Sequence, residues 1–269
     1  MSDPLAISQL RPGGRVWALG ALLGDDGALQ QLGPALFERW RRGDKLVVLG
    51  NLLGPNGDPG RTIDWLLALR RRLLATPETR VCDLVFLRGA QEEMWHKTLR
   101  LQFAMTPLQV LDWMLERGLA ATVAAYGASI AEGRGACRNG PSAIARWTAG
   151  LRSQQAQRPG HADLLNGLGR AARSADGSLF LSAAGVDPTR PLESQTDAFW
   201  WNAMSDRALA AALAGNADDA WRGVACLVRG AGPADDDSDG GARVLTVSRA
   251  TPALVALDAT GAVMERIEP

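Results

Sequence analysis

Three apolar runs in the N-terminal part of the chain each end on a glycine: Val16-Trp17-Ala18-Leu19-Gly20, Leu46-Val47-Val48-Leu49-Gly50 and Val85-Phe86-Leu87-Arg88-Gly89. A short run of branched and aromatic residues reads as a buried strand, and the glycine marks a sharp turn out of it. Helical stretches follow these runs at 28–42, 61–75 and 92–103. Strands alternating with helices in this way predict a parallel or mixed sheet covered by helices. Further strand-like runs lie at 179–183, 223–228, 244–247 and 254–258. The last of these are close together in sequence, as in antiparallel hairpins of a second sheet.

Between these two groups the character changes. Residues 107–117 carry Leu108, Leu111, Trp113 and Leu115 at helical spacing. A Gly/Ala-rich stretch follows, then two more predicted helices at 142–152 and 161–172, with 135–141 as the expected flexible joint. No internal repeat interrupts this order.

The glycine turns carry a more specific pattern. Gly20-Ala21-Leu22-Leu23-Gly24, Gly50-Asn51-Leu52-Leu53-Gly54-Pro55-Asn56 and Arg88-Gly89-Ala90-Gln91-Glu92-Glu93-Met94 follow the three runs in order. Downstream come Phe180-Leu181-Ser182-Ala183-Ala184-Gly185-Val186-Asp187-Pro188 and Leu227-Val228-Arg229-Gly230-Ala231-Gly232-Pro233. Together they resemble the calcineurin-like metallophosphoesterases, and most closely the bacterial serine/threonine phosphatases and diadenosine tetraphosphatases. Those enzymes carry Gly-Asp-x-His-Gly, Gly-Asp-x-x-Asp-Arg-Gly, Arg-Gly-Asn-His-Glu-Glu-Met, Val-His-Ala-Gly-Val-Asp-Pro and Val-x-Gly-His-Thr-Pro. Framework residues agree as well, including Asp44-Lys45-Leu46-Val47, Ile63-Asp64 and Tyr126-Gly127. The likeness runs from about Gly14 to about Leu257.

The resemblance implies an α/β (α+β) fold: a four-layer α/β/β/α sandwich of two mixed sheets, with loops converging at one end. It implies one domain over 1–269, with 104–175 as a helical cap inserted beside the site. It does not carry the family's activity across. Where the family places metal ligands, this chain has Ala21, Leu23, Asn51, Ala90, Gln91, Ala183 and Ala231, and Pro55 replaces the phosphate-facing Arg. No catalytic residue, metal ligand or cofactor is therefore expected.

Histidine content agrees. A pair of metal ions about 4 Å apart needs a dense set of imidazole and carboxylate ligands. The chain has 2 histidines, and neither falls in a ligand slot. His96 lies four residues after Glu92, which predicts an exposed helical ion pair. His161 follows Pro159-Gly160, which predicts a helix start or packing role. The lost ligands have become neutral, as expected where a carboxylate without its metal would be stranded in a low-dielectric site.

Composition narrows the partners. Lys+Arg and Asp+Glu balance at 29 each, so no global charge favours nucleic acid or an anionic membrane. The basic clusters Arg39-Trp40-Arg41-Arg42 and Arg70-Arg71-Arg72 close amphipathic segments, where cations offset a helix dipole. No stretch is long and apolar enough to span a bilayer, and no signal segment is evident. The 3 cysteines are widely separated, which predicts reduced thiols and a cytoplasmic protein. Asp235-Asp236-Asp237-Ser238-Asp239-Gly240 imitates the start of a calcium loop, but Thr246 stands where a bidentate Glu belongs, so a solvated loop is expected.

Three readings of function follow. The leading one is a pseudophosphatase that acts by binding an unknown partner protein, with Trp113, Trp147 and Trp200 as candidate interaction residues. The second is a phosphatase or nucleotide hydrolase with rearranged ligands drawn from Asp25, Asp26, Asp58, Glu92 and Glu93. The third is an anion or nucleotide sensor using the old pocket, with Asn51, Arg88, Gln91 and Arg229 as its lining.

Overall fold

The computed structural model describes residues 7–215, 217–233, 238 and 240–269. The calcium-like residues Asp235, Asp236, Asp237 and Asp239 lie outside the described residues.

In chain order the elements are β1 (Ile7–Gln9), β2 (Val16–Leu19), α1 (Asp26–Arg39), β3 (Lys45–Val48), α2 (Pro59–Leu74), β4 (Leu84–Phe86) and α3 (Ala90–Thr98). A helical segment follows: α4 (Pro107–Leu115), α5 (Leu119–Ala125), α6 (Ile130–Arg138), α7 (Pro141–Gln157) and α8 (His161–Asn166). The chain then forms β5 (Ala171–Arg173), β6 (Leu179–Ser182), α9 (Ala198–Trp201), α10 (Asp206–Gly215), β7 (Cys226–Ala231), β8 (Val244–Ser248), β9 (Leu254–Leu257) and β10 (Val263–Ile267).

The strands form two five-stranded mixed sheets, ordered β10-β9-β2-β3-β4 and β1-β5-β6-β7-β8. In the first, β2, β3 and β4 run parallel, because α1 and α2 return the chain across the sheet between them. Period-two alternation then builds the layers. Trp17, Leu19, Leu46, Val48, Leu84 and Phe86 face the helices, in a core shared with α1 to α5. Their neighbours Val16, Ala18, Val47 and Val85 face the second sheet and meet Leu179, Leu181 and Val228. The outer face of the second sheet, through Phe180, Leu227 and Val244, packs on Phe199, Leu209 and Leu213 of α9 and α10. Helix, sheet, sheet and helix stack in the four layers expected.

Helices α4 to α8 are not set apart from this packing. Leu111, Leu119, Val123, Ile144 and Leu165 join the same core as Trp17 and Leu19. Among the described residues, no helix is long and apolar enough to cross a membrane.

Three expectations need correcting. The closing hairpin β9–β10 does pair antiparallel, but it belongs to the first sheet, where β9 lies antiparallel beside β2. In the second sheet β7 and β8 run parallel. The helix expected over 161–172 stops at Asn166, because Gly167-Leu168-Gly169 breaks it. Gly169 bridges to Leu87, and the chain continues as β5, parallel to β1. The joint expected at 135–141 narrows to Asn139-Gly140, since Gly135 lies inside α6.

Candidate functional site

All five motif turns meet at one end of the two sheets. The Ala21 amide donates to the Gly230 carbonyl at 3.3 Å, joining the first turn to the fifth. The Leu22 and Leu23 amides both donate to the Asn51 carbonyl, at 3.1 and 2.7 Å, joining the first to the second. The Gly230 and Ala231 amides donate to the Ala183 carbonyl at 3.0 and 3.2 Å, joining the fifth to the fourth. The Gln91 amide donates to Asn51 Oδ1 at 3.1 Å, joining the third to the second. Backbone groups and one side-chain amide therefore link the five turns into a single cluster.

The turn geometry explains the glycines and exposes one strained residue. Gly50 has a φ of +76°, and a Cβ there would stand 2.7 Å from the Gly89 nitrogen. Asn51, at φ 51°, occupies the left-handed region that Asn tolerates. Leu23 also has φ 51°, an unfavourable value for leucine. It is held there at both ends: its amide bonds the Asn51 carbonyl, and its own carbonyl accepts from the Asn56 amide at 2.8 Å. Beneath the turns, Leu22 and Leu52 are fully buried in the main core, and Ala21 and Ala183 are buried beside them. Leu23 is half-buried.

Glu92 ties the second and third turns together from below. Its carboxylate is fully buried and accepts the Asn51 and Gly89 amides at Oε2, at 2.9 and 2.8 Å. Oε1 accepts the Leu53 amide at 2.9 Å. Burial raises this carboxyl above its ordinary range, against the opposing pull of the three amides. The other acids weighed as substitute ligands are likewise engaged. Asp25 caps α1 through the Ala28 amide, and Asp58 caps α2 through the Gly60 and Arg61 amides. Asp26 pairs with Arg61, and Glu93 pairs with Arg88 at 3.3 Å and Lys97 at 3.8 Å. Among the described residues, no group of three His, Cys, Asp or Glu side chains is placed to hold a metal ion.

Of the pocket candidates, Asn51, Gln91 and Arg88 lie at the clustered turns. Gln91 sends its side-chain Nε2 to the Arg117 carbonyl at 2.8 Å, which binds the turn to the end of α4. Arg88 leans along α3 onto Glu93, with its Nε buried and lacking a hydrogen-bond partner among the described residues. Arg229 is a correction. Val228 packs between the sheets, so alternation on β7 turns Arg229 towards α10. There it is fully buried, donating to Asp206 Oδ1 at 2.6 Å, Thr246 Oγ1 at 2.8 Å and the Met204 carbonyl at 2.8 Å. Its guanidinium is part of the framework.

His96 is a second correction. Glu92 is buried on backbone amides, so no exposed ion pair forms, and His96 Nε2 instead meets the Leu165 carbonyl at 3.1 Å. His161 does begin a helix and packs: it is fully buried between the Tyr126 hydroxyl at 2.9 Å and Asp64 at 2.9 Å.

The three tryptophans separate. Trp113 is 39% exposed, edge-on to Trp201 at 5.5 Å, with the Arg117 guanidinium over its ring at 4.2 Å. Trp147 packs against the main core, close over Gly133. Trp200 packs against the outer core of the second sheet, with Arg170 over its ring. Sequence reading missed the Glu92 anchor, although a Glu at the third position of α3 is a recognisable helix-start signal. It also missed the Arg229–Asp206 pair, for which no local signal exists.

The sequence matches no protein-family model and no curated protein. Solved structures are similar in shape. A protein serine/threonine phosphatase from Saccharomyces cerevisiae with similarity to human phosphatase PP5 shares 11% identity at a TM-score of 0.53, covering 98% of this chain and 84% of that one. A candidate diadenosine tetraphosphatase shares 14% identity at a TM-score of 0.46, covering 97% and 98% of the two chains. A cold-active protein tyrosine phosphatase shares 11% identity at 0.47, covering 99% and 82%. At such identities the likeness is one of fold, and that fold is the two-sheet sandwich of the calcineurin-like phosphoesterases.

Proposed function

We propose that this chain is a catalytically inactive homologue of the metallophosphoesterases that acts by binding a partner protein. One observation carries the reading: the turns assemble, but the side chains presented there do not fit a two-metal centre. Such a centre requires carboxylate and imidazole donors. Ala21, Leu23, Ala90, Ala183 and Ala231 offer no side-chain donor at all. Asn51 Oδ1 accepts the Gln91 amide, and the Gln91 Nε2 is held by Arg117, which leaves only the neutral Gln91 amide oxygen uncommitted at these positions, neither a carboxylate nor an imidazole. The nearby acids serve as helix caps, ion-pair partners or backbone anchors, which disfavours an enzyme with rearranged ligands. Arg229 is engaged by Asp206, which removes the main support for an anion sensor.

In this reading residues 1–269 act as one domain, with 104–175 as the cap that carries Trp113. The free thiols of Cys82, Cys137 and Cys226 accord with a cytoplasmic setting. The test is elemental analysis and phosphoester hydrolysis on purified protein, with and without added Mn, Fe and Zn. The expected result is no stoichiometric metal, no turnover above background and a melting temperature indifferent to chelators. Tightly bound metal with metal-dependent turnover overturns the reading.

A further inference from the structure

Three of the seven exposed large apolar side chains among the described residues lie in one stretch of the chain. Phe103 is 80% exposed, Met105 fully exposed and Trp113 39% exposed, all between the end of α3 and the end of α4. The other exposed ones among the described residues, Trp65, Val81 and the Val263-Met264 pair, lie on separate elements. Folding does not require the cluster. Leu101, Leu111 and Met114 of the same stretch already supply its buried face. A concentrated apolar surface of this kind marks an interaction site.

A groove of about 560 Å³ runs beside it along α3, with Leu101, Phe103, Ala104 and Val110 among its lining. Its charged residues are Arg88, Lys97, Arg100 and Glu93, with His96 between them. Glu93 is shared between Arg88 and Lys97, while Arg100 has no carboxylate partner among the described residues. The groove is thus locally cationic in a chain whose net charge is zero. A second depression of about 420 Å³ shares Lys97 and Val110 with it and ends on Trp113. The surface therefore offers cations at one end and apolar anchors alongside and beyond them.

We propose that this groove binds an acidic, amphipathic segment of a partner protein, its apolar side chains on Phe103, Met105 and Trp113 and its carboxylates on Lys97 and Arg100. This rests on the protein-binding reading above and specifies the partner's chemistry. Charge complementarity selects the occupant: cations steer and orient an acidic partner, and aromatic anchors supply contact area. A nucleic-acid strand would need a longer run of phosphate contacts than these few cations provide.

The test pans a displayed library of random peptides against the immobilised full-length chain. Enriched peptides are measured against K97E/R100E and F103S/M105S, all at exposed positions, after confirming unchanged melting temperatures. The expected result is enrichment of acidic sequences with apolar residues. Each double variant should weaken binding by about tenfold or more, a loss of hot-spot size. Replacing Glu by Lys in an enriched peptide should restore binding to K97E/R100E. Enriched peptides indifferent to both variants overturn the groove while leaving the protein-binding reading standing. If no peptide is enriched and a labelled oligonucleotide or inorganic phosphate binds instead, both are overturned.

Discussion

The Gln91 side chain donates its Nε2 hydrogen to the Arg117 backbone carbonyl at 2.8 Å, across the gap between the third turn and the end of α4. A residue of the third turn thereby fastens the helix that carries Trp113. Arg117 in turn stacks its guanidinium over the Trp113 ring. The third turn is thus tied structurally to the exposed surface.

Gln91→Ala should loosen that tie. The Arg117 carbonyl loses its side-chain donor, at a cost of about 1 kcal/mol. Amide exchange should quicken at the end of α4 while β2 and β3 keep their protection. Hydrogen-exchange mass spectrometry checks both. Unchanged exchange in α4 would show that the hydrogen bond does not hold the helix.

Glu92→Gln should destabilise the fold more than Glu93→Gln. The Glu92 carboxylate accepts three amides with two oxygens, and an amide side chain must turn its NH₂ towards at least one of those donors. An unsatisfied buried donor costs about 1–3 kcal/mol. Glu93 makes only partly exposed ion pairs, worth up to about 1 kcal/mol. Urea denaturation of the two variants gives the comparison, and equal losses would contradict the anchor role.

Arg229→Met should be severely destabilising, by about 3–5 kcal/mol, because it leaves Asp206 buried with one fewer cation. Arg249 still reaches Asp206 at 2.7 Å, so the carboxylate is not wholly abandoned. Thermal denaturation measures the loss. A change within about 0.5 kcal/mol, the range of neutral surface substitutions, would place Arg229 outside the framework.

Burial and the Arg88 guanidinium together hold His96 below its ordinary 6.5. The fold therefore favours the neutral ring. Its contribution is full above the unfolded value and is lost as pH falls through the lower folded value. Stability should fall below pH 6.5 more steeply in the parent than in His96→Gln. Denaturation midpoints across this range measure the difference, and parallel curves would exclude His96 as the source.

Installing the ligand set of the metallophosphoesterases tests the alignment of the turns. A variant with Asp at Ala21 and Asn51, Asn at Ala90, and His at Leu23, Gln91, Ala183 and Ala231 should lose stability without metal, since it buries unpaired polar groups. Mn or Zn should recover it, raising the melting temperature in proportion to affinity. Leu23 already holds a left-handed backbone that His adopts more readily. A folded variant that binds no metal would mean the slots are wrongly assigned.

The strands β2, β3 and β4 and their glycine turns were legible in the sequence, because both signals are local. Apolar runs such as Leu46-Val47-Val48-Leu49 must be buried on both faces, and a positive φ at Gly50 leaves little choice of residue. The order of the motifs made the meeting of the five turns expected as well. Tertiary structure alone decided which sheet received β9 and β10, since an apolar strand reads the same beside β2 as beside β8. It also decided what Arg229, Glu92 and His96 do. Arg229 meets Asp206 across 23 residues, Glu92 reaches Asn51 across 41 and His96 reaches Leu165 across 69. No local pattern records such partners: a polar side chain acquires its role only when the packed core withdraws it from water and leaves particular neighbours able to satisfy it.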